Sequence, residues 1–380
     1  MVYLDHAATS FPKPEVVYRG MDAFARASGV NPGRGGYRAA VLAEGMIEDT
    51  RRLLARLLGC RRPERIVFAL NATDAINMAI KGVLHPGDHV ITSVLEHNAV
   101  ARPLNRMEKE GGIQLTRLPV GSDNKVDPDS VFRAFQPSTK LVVLTHVSNV
   151  TGTVQPVEVI GPWVRDRGAL FLVDASQSVG VVPVAFEQSC VDLLAFTGHK
   201  GLLGPTGTGG LVVGERASVA CWREGGTGGD SSSPMHPEQF PHRLEGGTPN
   251  VVGLAGLREG VRFVLERGVQ NILAHERELM RAFRASLANP EHFHWYGADR
   301  ADNTGIVAIN IPGWDPVELA AVLDGHHAIA VRAGLHCAPY THRHLGTFPN
   351  GCVRLSVGAL STVDDVQEAA VAFNALAVGC

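Results

Sequence analysis

The sequence predicts an α/β protein with a mostly parallel sheet in a large domain and a smaller α+β domain at its C-terminal end. From about residue 15 to about residue 250, short apolar runs alternate with amphipathic stretches of helical spacing, which is the pattern of parallel strands wrapped by helices. The runs are Arg65-Ile-Val-Phe-Ala-Leu70, Asp88-His-Val-Ile-Thr-Ser93, Leu141-Val-Val-Leu-Thr145, Leu170-Phe-Leu-Val173, Leu193-Leu-Ala-Phe196 and Gly210-Leu-Val-Val-Gly214. Residues 305–380 follow a different rule: strand, helix, two strands and a closing helix. At 380 residues the chain also exceeds the usual reach of one hydrophobic core, so two domains are expected. The large one spans residues 15–255, and residues 1–14 join 256–380 in the small one.

Taken in order, Met1-Val-Tyr-Leu-Asp5 reads as a short strand. Asp74-Ala-Ile-Asn-Met-Ala-Ile-Lys81 reads as a helix that opens after the Asn71-Ala-Thr73 turn. A helix N-terminus attracts anions, and the Thr73 hydroxyl adds a donor suited to phosphate, though Thr73 serves equally well as an N-cap. A polar, glycine-rich segment over residues 225–242 fits either an interface hairpin or a docking loop. A long helix is expected over residues 251–276, followed by strands at Gly305-Ile-Val-Ala-Ile-Asn-Ile311, Ile329-Ala-Val331 and Val353-Arg-Leu-Ser356 and a helix from Asp315.

Composition removes several classes of function. A hydrophobic fraction of 45%, a charged fraction of 19% and a net charge of −3 describe a globular enzyme and give no electrostatic case for nucleic acid or membrane. The N-terminus lacks the basic and apolar regions of a signal peptide and no apolar stretch is long enough to span a bilayer, so a cytoplasmic protein is expected. Cysteines at 60, 190, 221, 337, 352 and 380 are too scattered for a disulfide framework, and reduced thiols are expected. Five of them fit small buried residues or, for Cys380, a frayed end.

The chemistry concentrates in Ala195-Phe-Thr-Gly-His-Lys200. A lysine with lowered pKa forms imines with aldehydes, and pyridoxal phosphate requires such a lysine together with an acid for its pyridine nitrogen. Asp174 closes the apolar run Ala169-Leu-Phe-Leu-Val-Asp174, at the carboxyl end of a buried strand, where open α/β sheets bind ligands. A carboxylate there needs a cation; a pyridinium, a salt bridge or a helix N-terminus each meets that need.

Further positions follow strands in the same way. His97 is able to lie over an aromatic ring and move protons, or to be an ordinary core histidine. Asn149 suits a cofactor phenolate, a substrate carboxylate or an Asx-turn, and Gln177 a ring oxygen or a helix start. Arg354, inside a strand, needs an anion, either a substrate carboxylate or a structural acid. Arg332 fits a loop-ordering role. Cys337 sits on a short loop beside His336, where an imidazolium would favour the reactive thiolate. His336, Cys337, His342 and His344 cluster, but their spacing lacks a zinc-site pattern, and no metal is expected.

Several ordered segments resemble the cysteine desulfurases of the class V aminotransferase superfamily. They are Tyr3-Leu-Asp-His-Ala-Ala-Thr9, Ala72-Thr-Asp-Ala-Ile-Asn77, Glu96-His97, His146-Val-Ser-Asn-Val-Thr-Gly-Thr153, Val173-Asp-Ala-Ser-Gln177, Thr197-Gly-His-Lys200, Leu244-Glu-Gly-Gly-Thr-Pro-Asn250 and Arg332-Ala-Gly-Leu-His-Cys337. The resemblance runs from residue 3 to about 358. It implies fold type I, a large pyridoxal phosphate-binding domain on a seven-stranded-type sheet, and a homodimer with sites at the subunit interface. It also implies Lys200 as the Schiff-base lysine, Asp174 as the pyridinium partner, His97 as the ring-stacking residue and Gln177 as a ring-oxygen contact.

By the same resemblance Thr73, Thr197 and His199, with the backbone at Ala72, hold the phosphate, and Thr248 reaches in from the partner subunit. Asn149 and Arg354 position the substrate carboxylate, and Cys337 accepts sulfur from L-cysteine as a persulfide, with alanine released. The short connection from Arg332 to Cys337 is similar to the group whose catalytic cysteine lies on a short, ordered loop. Asn71-Ala72 departs from the small or hydroxyl residues of many relatives. Rival readings on this scaffold are a selenocysteine lyase or other C–S lyase, and an aminotransferase without sulfur chemistry. A catalytically silent protein presenting persulfide to a carrier is the rival from another class, and a sulfur-acceptor protein is the partner implied.

Overall fold

The computed structural model describes residues 1–33, 35–228, 232–297 and 303–377. The chain opens with a short strand β1 (Val2–Tyr3). The large sheet is built from β2 (Ile66–Ala69), β3 (Asp88–Ser93), β4 (Ile113–Leu118), β5 (Thr139–Thr145), β6 (Leu170–Asp174), β7 (Leu193–Thr197) and β8 (Gly209–Val213). Their order is β2-β8-β7-β6-β5-β3-β4. All run the same way except β8, which is antiparallel to both β2 and β7.

Strand periodicity explains why the runs are apolar throughout. Val142, Leu144, Phe171 and Val173 pack on one face with residues of the helices Arg38–Leu58, Val157–Asp166 and Val251–Arg267. Leu141, Val143, Leu170 and Leu172 pack on the other with the helices Ala72–Val83 and Asn98–Lys109. A strand covered on both faces must be apolar at every position, so its polar residues fall at its ends. The carboxyl ends of the parallel strands therefore collect the turn after β2, the His97 turn after β3, the Asn149 turn after β5, Asp174, and the Lys200 turn after β7.

The smaller C-terminal α+β unit contains β9 (His294–Tyr296), β10 (Ile306–Asn310), β11 (Ile329–Ala330), β12 (Arg332–Gly334) and β13 (Cys352–Ser356). Four of these form an antiparallel sheet in the order β12-β13-β10-β9, while β11 pairs with β1 in parallel. Its core includes Leu4, Leu279, Phe283, Leu319, Leu355 and Phe373, with the Phe283 and Phe373 rings edge to face at 5.6 Å. The long helix expected over residues 251–276 is instead two, Val251–Arg267 and Val269–Ala285. They break at Gly268, whose φ of 83° only glycine adopts without strain.

Contacts between the two units position the site. The carbonyl of Gly152 (φ 70°) accepts the Thr304 N–H at 3.0 Å, and a Cβ on this glycine would lie 2.5 Å from the Ile306 carbonyl oxygen. Thr341 Oγ1 bonds the Val94 carbonyl at 3.1 Å, keying the short helix Pro339–His344 to the turn after β3. Among the described residues, no helix is long and apolar enough to cross a membrane.

Candidate active site

Asp174 ends β6 at 4% exposure and pairs in register with Ala195 of β7, five residues before Lys200. The Ser176 N–H (3.0 Å) and hydroxyl both donate to its Oδ1. Burial pulls Lys200 down to about 8, Asp174 acts to hold it up, and Arg354 and Arg332 push it lower. An amine with that value is partly neutral near physiological pH, the state a nucleophile requires.

His97 caps the helix Asn98–Lys109: its Nδ1 accepts the Ala99 N–H at 3.0 Å, so the proton of the neutral ring resides on Nε2. Burial lowers its pKa; Asp174 opposes this, and Lys200 and Arg332 reinforce it. Those couplings bring His97, Asp174, Lys200 and Arg332 into one electrostatic neighbourhood. Gln177 and Lys200 share the wall of a cavity of about 30 Å3, where Gln177 Nε2 donates to the Ala7 carbonyl.

Around this centre lie polar groups without partners. Thr197 Oγ1 and His199 Nδ1 are buried and unbonded. Burial, then the charges of Lys200 and Lys13, lower His199 to about 4, so its ring is neutral. Asn71, not Thr73, caps the helix Ala72–Val83 by accepting the Asp74 N–H at 3.0 Å. Thr73 is exposed in the first turn, where helix N–H groups have no intrahelical acceptor. Thr248 is exposed on the wall of a separate groove of about 800 Å3, with Leu70 and Asp74, and no hydrogen bond joins it to the residues around Lys200 in its own chain.

On the opposite side, Arg354 is 2% exposed. Its Nη2 meets Asp5 Oδ1 at 2.7 Å and its Nη1 donates to the Asn149 carbonyl at 2.9 Å, while its Nε has no partner. Asn149 is not in an Asx-turn, since the Thr151 N–H such a turn would use donates to Ser148 Oγ at 3.2 Å; the Asn149 Nδ2 instead donates to the His336 carbonyl at 2.7 Å. The next carbonyl, of Cys337, accepts the Asn98 N–H at 2.7 Å. The thiol-bearing loop is thus clamped at two successive carbonyls, and Cys337 itself is exposed.

The expected imidazolium beside Cys337 is absent. Burial, reinforced by Arg354, drives His336 down to about 2, and its ring turns inward to the Arg332 carbonyl and to His342. The clustered metal donors also differ from those read in the sequence. His336, His342 and Cys352 bring one ligand atom each within 4.8 Å of one another, whereas Cys337 and His344 are exposed. The Arg354 guanidinium acts on both His336 and Cys352, which disfavours a further cation there.

Sequence reasoning assigned no role to Asp5 or Glu96, although both lie in quoted segments. Glu96 is buried beneath the site, accepting from Ser93 Oγ at 2.6 Å and Thr145 N–H at 3.2 Å, and burial raises it to about 8, with Asp174 adding to the rise. Its placement directly before the His97 cap was the available signal.

A partly neutral lysine and a buried aspartate on the carboxyl edge of such a sheet, ringed by unsatisfied polar groups, define a pyridoxal phosphate-type α/β enzyme. The family described as aminotransferase class-V matches residues 2–369. A probable cysteine desulfurase of Methanothermobacter thermautotrophicus is 35% identical over 96% of this chain and 92% of its own length. One from Pyrococcus abyssi is 33% identical over 97% and 92%. Among solved structures, a cysteine desulfurase from Thermococcus onnurineus NA1 superposes with a TM-score of 0.92 at 31% identity, covering 100% of this chain and 95% of that one. The chain belongs to the cysteine desulfurase family of class-V aminotransferases.

Proposed function

We propose that this chain is a pyridoxal phosphate-dependent cysteine desulfurase that takes sulfur from L-cysteine onto Cys337 as a persulfide and releases L-alanine. The observation that carries the reading is the pair of clamps at His336 and Cys337, which hold an exposed thiol against the same helix start that His97 caps. Unsatisfied Thr197 Oγ1 and His199 Nδ1 fit a phosphate, with Thr73 and the backbone at Ala72 as further donors. Asp174 fits a pyridinium, His97 a ring face and Gln177 a ring oxygen. Bound there, pyridoxal phosphate supplies an electron sink for the substrate α-carbon.

The chain's own residues do the rest. Lys200 Nζ, neutral in part near pH 8, accepts and returns a proton. Arg354 offers its free Nε, and Asn149 its amide, to the substrate carboxylate. Cys337 Sγ attacks the substrate sulfur: the S–S bond forms, the carbon–sulfur bond breaks, and its electron pair stays with carbon, which takes a proton to give alanine. In this reading His97 Nε2–H donates it.

The reading includes a boundary between domains at 15–255 and at 1–14 with 256–380. It also includes a cytoplasmic homodimer in which Thr248 serves the partner's phosphate site, and a sulfur-acceptor protein, with a selenocysteine lyase as the alternative on the same scaffold. Alanine and sulfide are to be measured from L-cysteine with and without reductant. Cys337→Ala should keep the bound chromophore and lose the persulfide; full sulfide release by that variant refutes the assignment.

A further inference from the structure

His336 and Cys337 carry consecutive left-handed backbones, φ 48° and 58°, although neither is glycine. Such residues persist only where their surroundings over-determine them. Asn149 and Asn98 hold the loop from the large-domain side. The other side is held by side chains of the loop itself.

His336 Nε2 faces the Arg332 carbonyl at 3.2 Å, and a carbonyl only accepts, so the proton sits on Nε2 and Nδ1 is a bare lone pair. That lone pair faces His342 Nε2 at 3.4 Å, which must donate. His342 Nδ1 is then bare in turn, and Thr347 Oγ1 at 2.7 Å supplies its proton, the nearer of two acceptors since the His342 carbonyl lies 3.4 Å from the same hydroxyl. One direction of donation runs through the whole chain, Thr347 to His342 to His336 to Arg332. His342 is fully buried and also serves as a backbone hub: its N–H donates to Ala338, and its carbonyl accepts from Thr347 and Phe348.

We propose that His342 is a positioning residue for Cys337, acting through this one-way chain to hold the left-handed turn that aims the thiol into the site. The inference rests on Cys337 being the sulfur acceptor, but the chain itself is testable without turnover.

Thr347→Val keeps the side-chain volume and removes the proton donor, and Thr347→Ser keeps the donor. In the holoenzyme, Thr347→Val is expected to speed hydrogen exchange at the Ala338 and Asn98 amides about tenfold, the effect of one lost buried hydrogen bond. It should slow persulfide formation on Cys337 by a similar factor with KM within about twofold, because the thiol and not substrate binding is displaced. Thr347→Ser should restore both. Nitrogen-15 shifts should show both His336 and His342 protonated at Nε2 in the parent. Unchanged exchange in Thr347→Val, or faster exchange with unchanged persulfide formation, overturns the proposal. If Cys337→Ser itself turns over normally, the sulfur-acceptor reading has failed independently of the chain.

Discussion

The guanidinium of Arg354 and the carboxylate of Asp5 meet at 2.7 Å, across a bridge that joins Asp5 to Ser356. Arg354 is almost fully buried, so Asp5 is its one acidic partner in the described structure. Asp5→Asn leaves a buried charge uncompensated and is expected to cost about 3 kcal/mol of stability. Denaturation of the cofactor-free chain measures it, and a loss under about 1 kcal/mol would mean that Asp5 does not compensate the buried Arg354 charge.

Thr197 separates affinity from stability. Its buried hydroxyl has no partner in the free chain, so Thr197→Val should leave the cofactor-free protein equally or more stable. The same change should weaken pyridoxal phosphate binding about tenfold, as expected for one lost hydrogen bond to a charged group. Titration of the absorbance on adding cofactor gives the affinity. Unchanged affinity removes Thr197 from the phosphate site.

Burial of Glu96 makes the stability of the chain depend on pH. Its folded value of about 8 lies above the ordinary 4.5, so the folded chain binds more protons than the unfolded one between those limits. Stability from this group falls as pH rises from about 4.5 to about 8 and is level above that. Glu96→Gln mimics the protonated form, so its stability relative to the parent should rise across that interval. Parallel melting profiles at pH 5 and pH 8 would show that Glu96 does not titrate there.

Lys200 should react as a buried amine. Carbamylation by cyanate, followed by mass spectrometry on the cofactor-free chain, should rise with pH around a midpoint near 8. Asp174→Asn removes the charge that favours the ammonium form and should move the midpoint lower. A midpoint at the ordinary lysine value in the parent would mean that the amine is solvated.

The strands buried on both faces were legible as short apolar runs bounded by polar residues: β3 begins and ends where the sequence predicts, at Asp88 and Ser93, around Val90 and Ile91. β4 went unread, because it is an edge strand with Gln114 exposed and Thr116 and Arg117 half-buried, which dilutes the apolar run. The break at Gly268 lies within one continuous helical periodicity, and a lone glycine is tolerated in a helix often enough to hide it.

Lys200, Asp174 and His97 were legible as site candidates because each follows a strand at the sheet's carboxyl edge. The neutral state of His336 was not, since it depends on burial and on Arg354, which is brought in from β13. The occupancy of Asn149 by a carbonyl from a loop 187 residues away was equally beyond local pattern.

The bond from Asn98 N–H to the Cys337 carbonyl fastens the sulfur-bearing residue to the backbone immediately after His97. In the proposed reaction the proton donor and the sulfur acceptor would hence share one mechanical mount, although the sequence separates them by most of the chain. A backbone movement that carried the Cys337 carbonyl away from this helix would break the bond and leave a helix-end amide open until the loop returned.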